Sequence, residues 1–220
     1  MDWSNKLKDS FLQFFHDLFD LMVVNWLWLL CSLPIVTVGP ATCGLYRVTL
    51  KLARQEPVQP LKDFFRGFRE NFKSGLFLGL WAILLLVAAL GDLWLLLQLT
   101  GWMQGVYIGA AVLIGLMFLT VVSYAFALAA MFDNPLKAHT FNAFKLALAF
   151  PLRTVLLWLI LLIPVLAAVL LPVVALKMLG FLYLVAGISG PVYGASHILR
   201  NIFDCVNGAS TETALPTSED

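Results

Sequence analysis

The chain has 220 residues, of which 61% are hydrophobic and 12% charged, with a formal net charge of +1 and a mean hydropathy of +0.89. Soluble domains average about 45–50% apolar and about 25% charged residues, so an ordinary water-soluble fold is excluded. A net charge so close to zero gives nucleic acid no attraction to the molecule as a whole, and no nucleic-acid partner is expected.

Charge placement says more than charge number. No Asp, Glu, Lys or Arg occurs in Leu21–Tyr46, Ser74–Gly91, Leu93–Phe132, Thr154–Leu176 or Met178–Leu199. Crossing about 30 Å of hydrocarbon takes roughly 20 helical residues, because the backbone must satisfy its own hydrogen bonds there. The third run is long enough for two crossings. The fold class that follows is an all-α, polytopic bundle of transmembrane helices with cytoplasmic amphipathic segments. It makes one domain over residues 1–200, followed by a polar, disordered tail over 201–220.

At the N-terminus, Asp2, Asp9, Asp17 and Asp20 interrupt the apolar residues and no small-residue cleavage pattern follows, so the first hydrophobic segment is expected to be retained. Trp3, Leu7, Phe11, Phe14, Phe15, Leu18 and Phe19 recur close to a helical period. They fit either an interfacial helix or an extension of the first span. That span runs from about Leu18 to Leu33 or Val38. Pro34 and the Gly39-Pro40 pair break it, and Pro40 suits the start of a new helix.

The segment from Pro40 to Arg54 has two readings: a short second span whose terminal cations reach the interface, or a helix on the cytoplasmic surface. Next come Arg54, Lys62, Arg66, Arg69 and Lys73 interleaved with Phe64, Phe65, Phe68 and Phe72. This pattern predicts an amphipathic helix lying on an anionic inner leaflet. Four further spans are expected at about Gly75–Leu99, Gly105–Met131, Thr154–Leu176 and Met178–Leu199.

The connector Thr100–Gln104 is uncharged, whereas the stretch from Asp133 to Arg153 holds Lys137, Lys145 and Arg153. By the positive-inside rule the second is cytoplasmic and the first external, with Lys177 the exception. Six helices with both termini cytoplasmic are favoured over five, because six puts Lys6 and Lys8 inside. FRGFRENFK and FNAFK, each ahead of a helical pair, form a faint internal likeness.

Two charges fall within apolar segments. Counting about 1.5 Å per residue, Arg47 lies about 12 Å in from Gly39 and Asp92 about 10 Å in from Leu99. They form a speculative intramembrane polar group with Asn25: either an ion pair joining helices, or two side chains reaching opposite headgroup layers. Asn25 itself reads first as packing glue between helices.

His16, His139 and His197 are scattered, and no metal site is expected. The spacing of Cys31, Cys43 and Cys205 fits neither a disulfide framework nor zinc. No nucleotide, hydrolase or metalloprotease motif occurs, so no enzyme activity, catalytic residue or cofactor is expected. Residues 187–194, GISGPVYG, predict close helix packing with a kink at Pro191.

The blocks NWLWLLCSLPIVTVGPATCGLYRVTLKLAR, FFRGFRENFK and FNAFKLALAFPLRTVLLWLILL resemble the YesL family of bacterial membrane proteins, a domain of unknown function, over nearly all of the chain to about Arg200. The SLPIVTVGPAT block is the most specific part. The genes of that family often neighbour carbohydrate uptake and breakdown systems. The resemblance therefore implies a plasma-membrane accessory to sugar import, in contact with membrane lipids and a partner such as a sugar transporter. The competing class is a small transporter or channel, alone or as an oligomer, with a membrane enzyme as a third.

Overall fold

The computed structural model describes residues 3–96, 98, 101–132, 135–170, 180, 183 and 185–214, and among these the regular structure is all helical, with no strand. The helices are α1 (Trp3–Cys31), α2 (Val38–Ala53), α3 (Pro60–Glu70), α4 (Phe72–Leu96), α5 (Trp102–Thr120), α6 (Phe126–Met131), α7 (Leu136–Ala149), α8 (Pro151–Leu170) and α9 (Ser189–Ala214). Three stretches are long and apolar enough to cross a membrane: Phe11–Cys31, Phe72–Asp92 and Trp102–Met131. A fourth arises if α7 and α8, bent by 110°, count as one.

The centre of the bundle is α2. From Gly39 to Ala53 nearly every residue is buried, with α1, α3, α4, α6 and α9 packed around it. At 16 residues it is about 24 Å long. α1 enters and α2 returns antiparallel, joined by Ser32–Thr37, in which Pro34 precedes a single 3-10 turn at Ile35–Thr37. Thr37 Oγ1 donates to the Cys31 and Pro34 carbonyls. The indole of Trp28 donates to Thr42 Oγ1 at 3.1 Å and ties the two limbs.

Pro60 occupies the first turn of α3, where its missing N–H costs nothing. This helix runs back along α2. Its Phe64 is fully buried and Phe68 packs against the core, so those rings face the protein rather than the leaflet expected from sequence. Phe65 and Leu61 stay outside.

Glycine sets two close crossings. A Cβ on Gly39 would lie 1.9 Å from the Gly75 carbonyl oxygen, and one on Gly75 would lie 2.8 Å from Pro40 Cα. With Gly79 also facing Gly39, Gly75 and Gly79 let α4 cross the start of α2 backbone to backbone, the way small residues four apart act in membrane helices. Gly44 and Gly67 do the same for α2 against α3, where a Cβ on Gly44 would meet the Phe64 carbonyl at 2.8 Å.

α5 passes into α6 through a π turn at Val121–Ala125. The widened turn leaves the Val122 carbonyl able to accept Tyr46 Oη at 3.3 Å. Tyr124 Oη shares a 2.7 Å hydrogen bond with Thr154 Oγ1 at the start of α8.

Of the two readings of the N-terminal aromatic stretch, the extension of the first span is the one found, since α1 is continuous from Trp3 to Cys31. Two boundaries differ from the sequence expectation. The last helix breaks at Gly187–Ile188 and restarts at Ser189, leaving Pro191 in a first turn that needs no N–H from it. The part of the expected tail from Asn201 to Ala214 is helical, with Ile202 and Phe203 buried and drawing that turn onto the bundle, and its residues 215–220 lie outside the described residues. The expectations for Thr100 and Lys177 lie outside the described residues, as do those for 171–176, 178, 179, 181, 182 and 184.

Gly39→Ala should cost about 2 kcal/mol or more by overpacking, roughly 4–8 °C in the melting temperature of the detergent-solubilised protein. Gly109→Ala, where a Cβ meets nothing within 4 Å, should change stability by no more than about 0.5 kcal/mol.

Candidate functional site at the charged end of the bundle

Arg47, Lys51 and Arg54 fall on one face of α2 by helical spacing, and Asp63 and Glu70 fall on one face of α3. Because α3 runs antiparallel on α2, the stripes meet. Lys51 Nζ lies 2.8 Å from Asp63 Oδ1. Arg47 Nη1 lies 2.6 Å from Glu70 Oε2, and Arg66 Nε reaches the other oxygen of the same carboxylate at 2.8 Å. Arg54 Nη2 lies 3.3 Å from Asp204 of α9. Arg200 of α9 donates to the Ala53 carbonyl, closing the C-terminus of α2 where a cation is favoured.

α2 ends with Gln55 at φ 57. The Gln55 and Glu56 N–H groups bond back to the Leu52 and Lys51 carbonyls, a left-handed cap that turns the chain toward α3. Asp63 closes the start of α3 by accepting the Gln59 N–H at 2.9 Å. Burial pushes its carboxyl up, but hydrogen bonds from Lys51 and Gln59 and the charges of Lys51 and Arg47 outweigh that and hold it below its ordinary 3.8. Glu70 is lowered mainly by its hydrogen bond from Arg66.

These groups surround a polar cavity of about 660 Å³, lined on one side by Arg47, Lys51, Arg54 and Arg66 and on the other by Ala129–Phe132 at the end of α6. Glu56 and Glu70 are the acids on its wall. The Nε atoms of Arg47 and Arg54 are buried and make no hydrogen bond. A second, apolar cavity of about 390 Å³ lies deeper, bounded by residues that include Trp28, Tyr46, Ile83, Phe118 and Val192.

Asn25, Arg47 and Asp92 do not come together. Asn25, fully buried, accepts the Ile188 and Ser189 N–H groups at 3.1 and 3.2 Å and donates to the Tyr183 carbonyl at 3.2 Å. It bridges the break ahead of α9 and supplies the cap that break requires. Arg47 faces Glu70. Asp92 lies near the other end of α4, and its Oδ2 makes no hydrogen bond. The depth count placed Arg47 and Asp92 together only by setting the α1–α2 turn level with the far end of α4. In the structure that turn lies beside Gly75–Gly79, near the beginning of α4.

The sequence reasoning did not single out the acids Asp63 and Glu70. The signal was present: cations at positions 47, 51 and 54 match acids at 63 and 70 once two adjacent helices are paired antiparallel.

An all-α protein with several apolar helices of membrane-spanning length is thus defined, polar at one end. Residues 21–93 match the family described as "Protein of unknown function, DUF624". The match covers about a third of the chain and takes in α2, α3, the glycine crossing and most of the charged end. Neither the curated proteins nor the solved structures contain a match.

Removing the α2–α3 tie should cost stability. Asp63→Asn is expected to lose about 2 kcal/mol at neutral pH, the usual size for a hydrogen bond to a charged group. Because the folded carboxyl is depressed, its contribution is complete above 3.8 and disappears as pH falls through the lower folded value. Acid melting curves should therefore show the wild type losing stability below about pH 4, and that part of the loss should be missing from Asp63→Asn.

Proposed function

We propose that this chain is a non-enzymatic, multi-pass plasma-membrane component of the YesL kind, with its charged end in the cytoplasm, that serves as an accessory to a sugar importer. The sugar-import role rests on the resemblance in sequence, and the observation that carries the placement in the membrane is the shape of the α1–α2 hairpin. Its turn exposes Leu33 (77%), Ile35 (70%) and Val36 (62%), side chains suited to lipid rather than water. Both limbs return toward the same charged end, so α1 and α2 bring the membrane-embedded helices to six and keep both termini inside.

Depth supports this arrangement. From Asp20 to Cys31 is roughly 16 Å of helix, while α4 runs on for about 20 Å from Gly79, beside the turn, to Asp92. A bilayer core of about 30 Å then has the turn near its middle and the charged end at the cytoplasmic headgroups, where lysine and arginine belong. In that placement the outer face of α3, with Lys62, Arg66 and Arg69 beside Leu61 and Phe65 around a shallow groove, faces the cytoplasm. It suits an acidic, partly apolar segment of the importer.

Two measurements test this. A cysteine introduced at Ile35 in a chain without its three native cysteines should resist membrane-impermeant maleimide from either side and react with a lipid-soluble one. Labelling from outside would show a turn that crosses fully. Purified from native membranes, the chain should bring down a sugar importer, and Lys62→Glu with Arg69→Glu should reduce that recovery at least about tenfold. Sugar or ion flux through vesicles holding this chain alone would overturn the accessory reading in favour of a transporter.

A further inference from the structure

We infer that the cavity between Arg47, Lys51, Arg54 and Arg66 is a binding site for a phosphate group, carried either by a lipid headgroup or by a soluble phosphate monoester. The inference rests on the charged end facing the cytoplasm, as proposed above, and is independent of any partner protein. Its chemistry begins with an imbalance: Arg47 and Arg66 share the single carboxylate of Glu70. Lys51 and Arg54 are matched by Asp63 and Asp204, which leaves one guanidinium on that wall without an ion pair of its own, and Glu56, the remaining acid there, forms none of the described ion pairs.

Hydrogen bonding points the same way. The side chains of Arg47 and Arg54 are only 20% and 22% exposed, and each holds a buried Nε donor without an acceptor. A buried donor left unmade is unfavourable. A tetrahedral oxyanion presents several acceptors at once and suits the planar fork of arginine, which binds phosphate through paired donors. Among the acids, Glu56 is exposed to solvent, and Glu70 is the one an incoming phosphate would compete with. The small side chains Ala129 and Ala130 opposite leave room for the group. Cation-lined recesses between membrane helices on the cytoplasmic side are where anionic headgroups settle.

The alternative is that the arginines only neutralise Glu70 and the carbonyl end of α6. The two differ in a binding measurement on the purified full-length chain. One arm titrates inorganic phosphate and glycerol 3-phosphate into the detergent-solubilised protein. The other places the protein in nanodiscs of phosphatidylcholine with and without phosphatidic acid, followed by native mass spectrometry. Binding in the first arm assigns a soluble phosphate, and selective retention of phosphatidic acid assigns a lipid.

In whichever arm binds, Arg47→Gln and Arg54→Gln should each weaken binding at least about tenfold, and the exposed Arg66→Gln should weaken it several-fold without a risk to folding. Lys62→Gln with Arg69→Gln, outside the cavity, should leave it unchanged. No binding in either arm by a protein with wild-type melting behaviour would overturn the proposal, as would equal loss in the outer-face variant. Recovery or loss of the importer in the pull-down leaves this outcome untouched, so the two readings fail separately.

Discussion

Everything else in the molecule is arranged around a helix too short to cross a bilayer and almost completely enclosed. In lipid the hydrophobic effect does not drive one apolar helix onto another, so association rests on close packing and on polar contacts. α2 uses both along its length. Near its start Gly39 admits the backbone of α4, at its middle Gly44 admits α3, and toward its end Lys51, Arg54 and the Ala53 carbonyl are tied to α3 and α9. Dispersion thus binds one end and charge the other.

The interior polar groups follow a common pattern: most of the described serine and threonine bonds are spent close to home. Thr42, Thr49, Ser123, Thr154 and Ser196 donate to carbonyls three or four residues earlier in their own helices or at a helix junction. Three cross-helix bonds are added to these: Trp28 to Thr42, Ser196 to Thr49, and Tyr124 with Thr154. Two further side chains reach places where the backbone is irregular. Asn25 serves the break before α9, and Tyr46 serves the π turn. Irregular backbone at membrane depth persists only where protein groups take up the freed donors and acceptors, so these two side chains support the restart of α9 and the π turn between α5 and α6.

Much of this was legible because a bilayer writes itself into the charge pattern. The uncharged runs matched α4, α5–α6 and the start of α8 within a few residues, and Pro34 to Pro40 marked the turn between α1 and α2. Depth along the membrane normal was not legible, since counting residues from a turn presumes where that turn lies. The reading that joins Arg47 to Asp92 rests on that presumption, whereas the reading that sends the two to opposite headgroup layers does not need it, and Glu70 sits on the adjoining helix at complementary spacing to Arg47. Glycine spacing is equally incomplete as a signal. Gly75 and Gly79 form a backbone crossing, whereas Gly105 and Gly109, with the same spacing, have nothing within 4 Å. What separates them is whether another helix must pass there.

The polarity of the bundle follows from the same geometry. The described ion pairs between helices lie around the end of α2, where α3 and the close of α9 also gather. A charge is tolerated at membrane depth only when paired or close to the interface, and α2 brings three cations to a helix with neighbours on every side. Each neighbour that contributes an acid must then end at the same level, which fixes the start of α3 and the overhang of α9 together. The helical turn at Ile202–Phe203 is part of that solution: without it Asp204 would not reach Arg54. The final helix therefore extends past its last apolar run to meet a cation set by a hairpin 150 residues earlier in the chain.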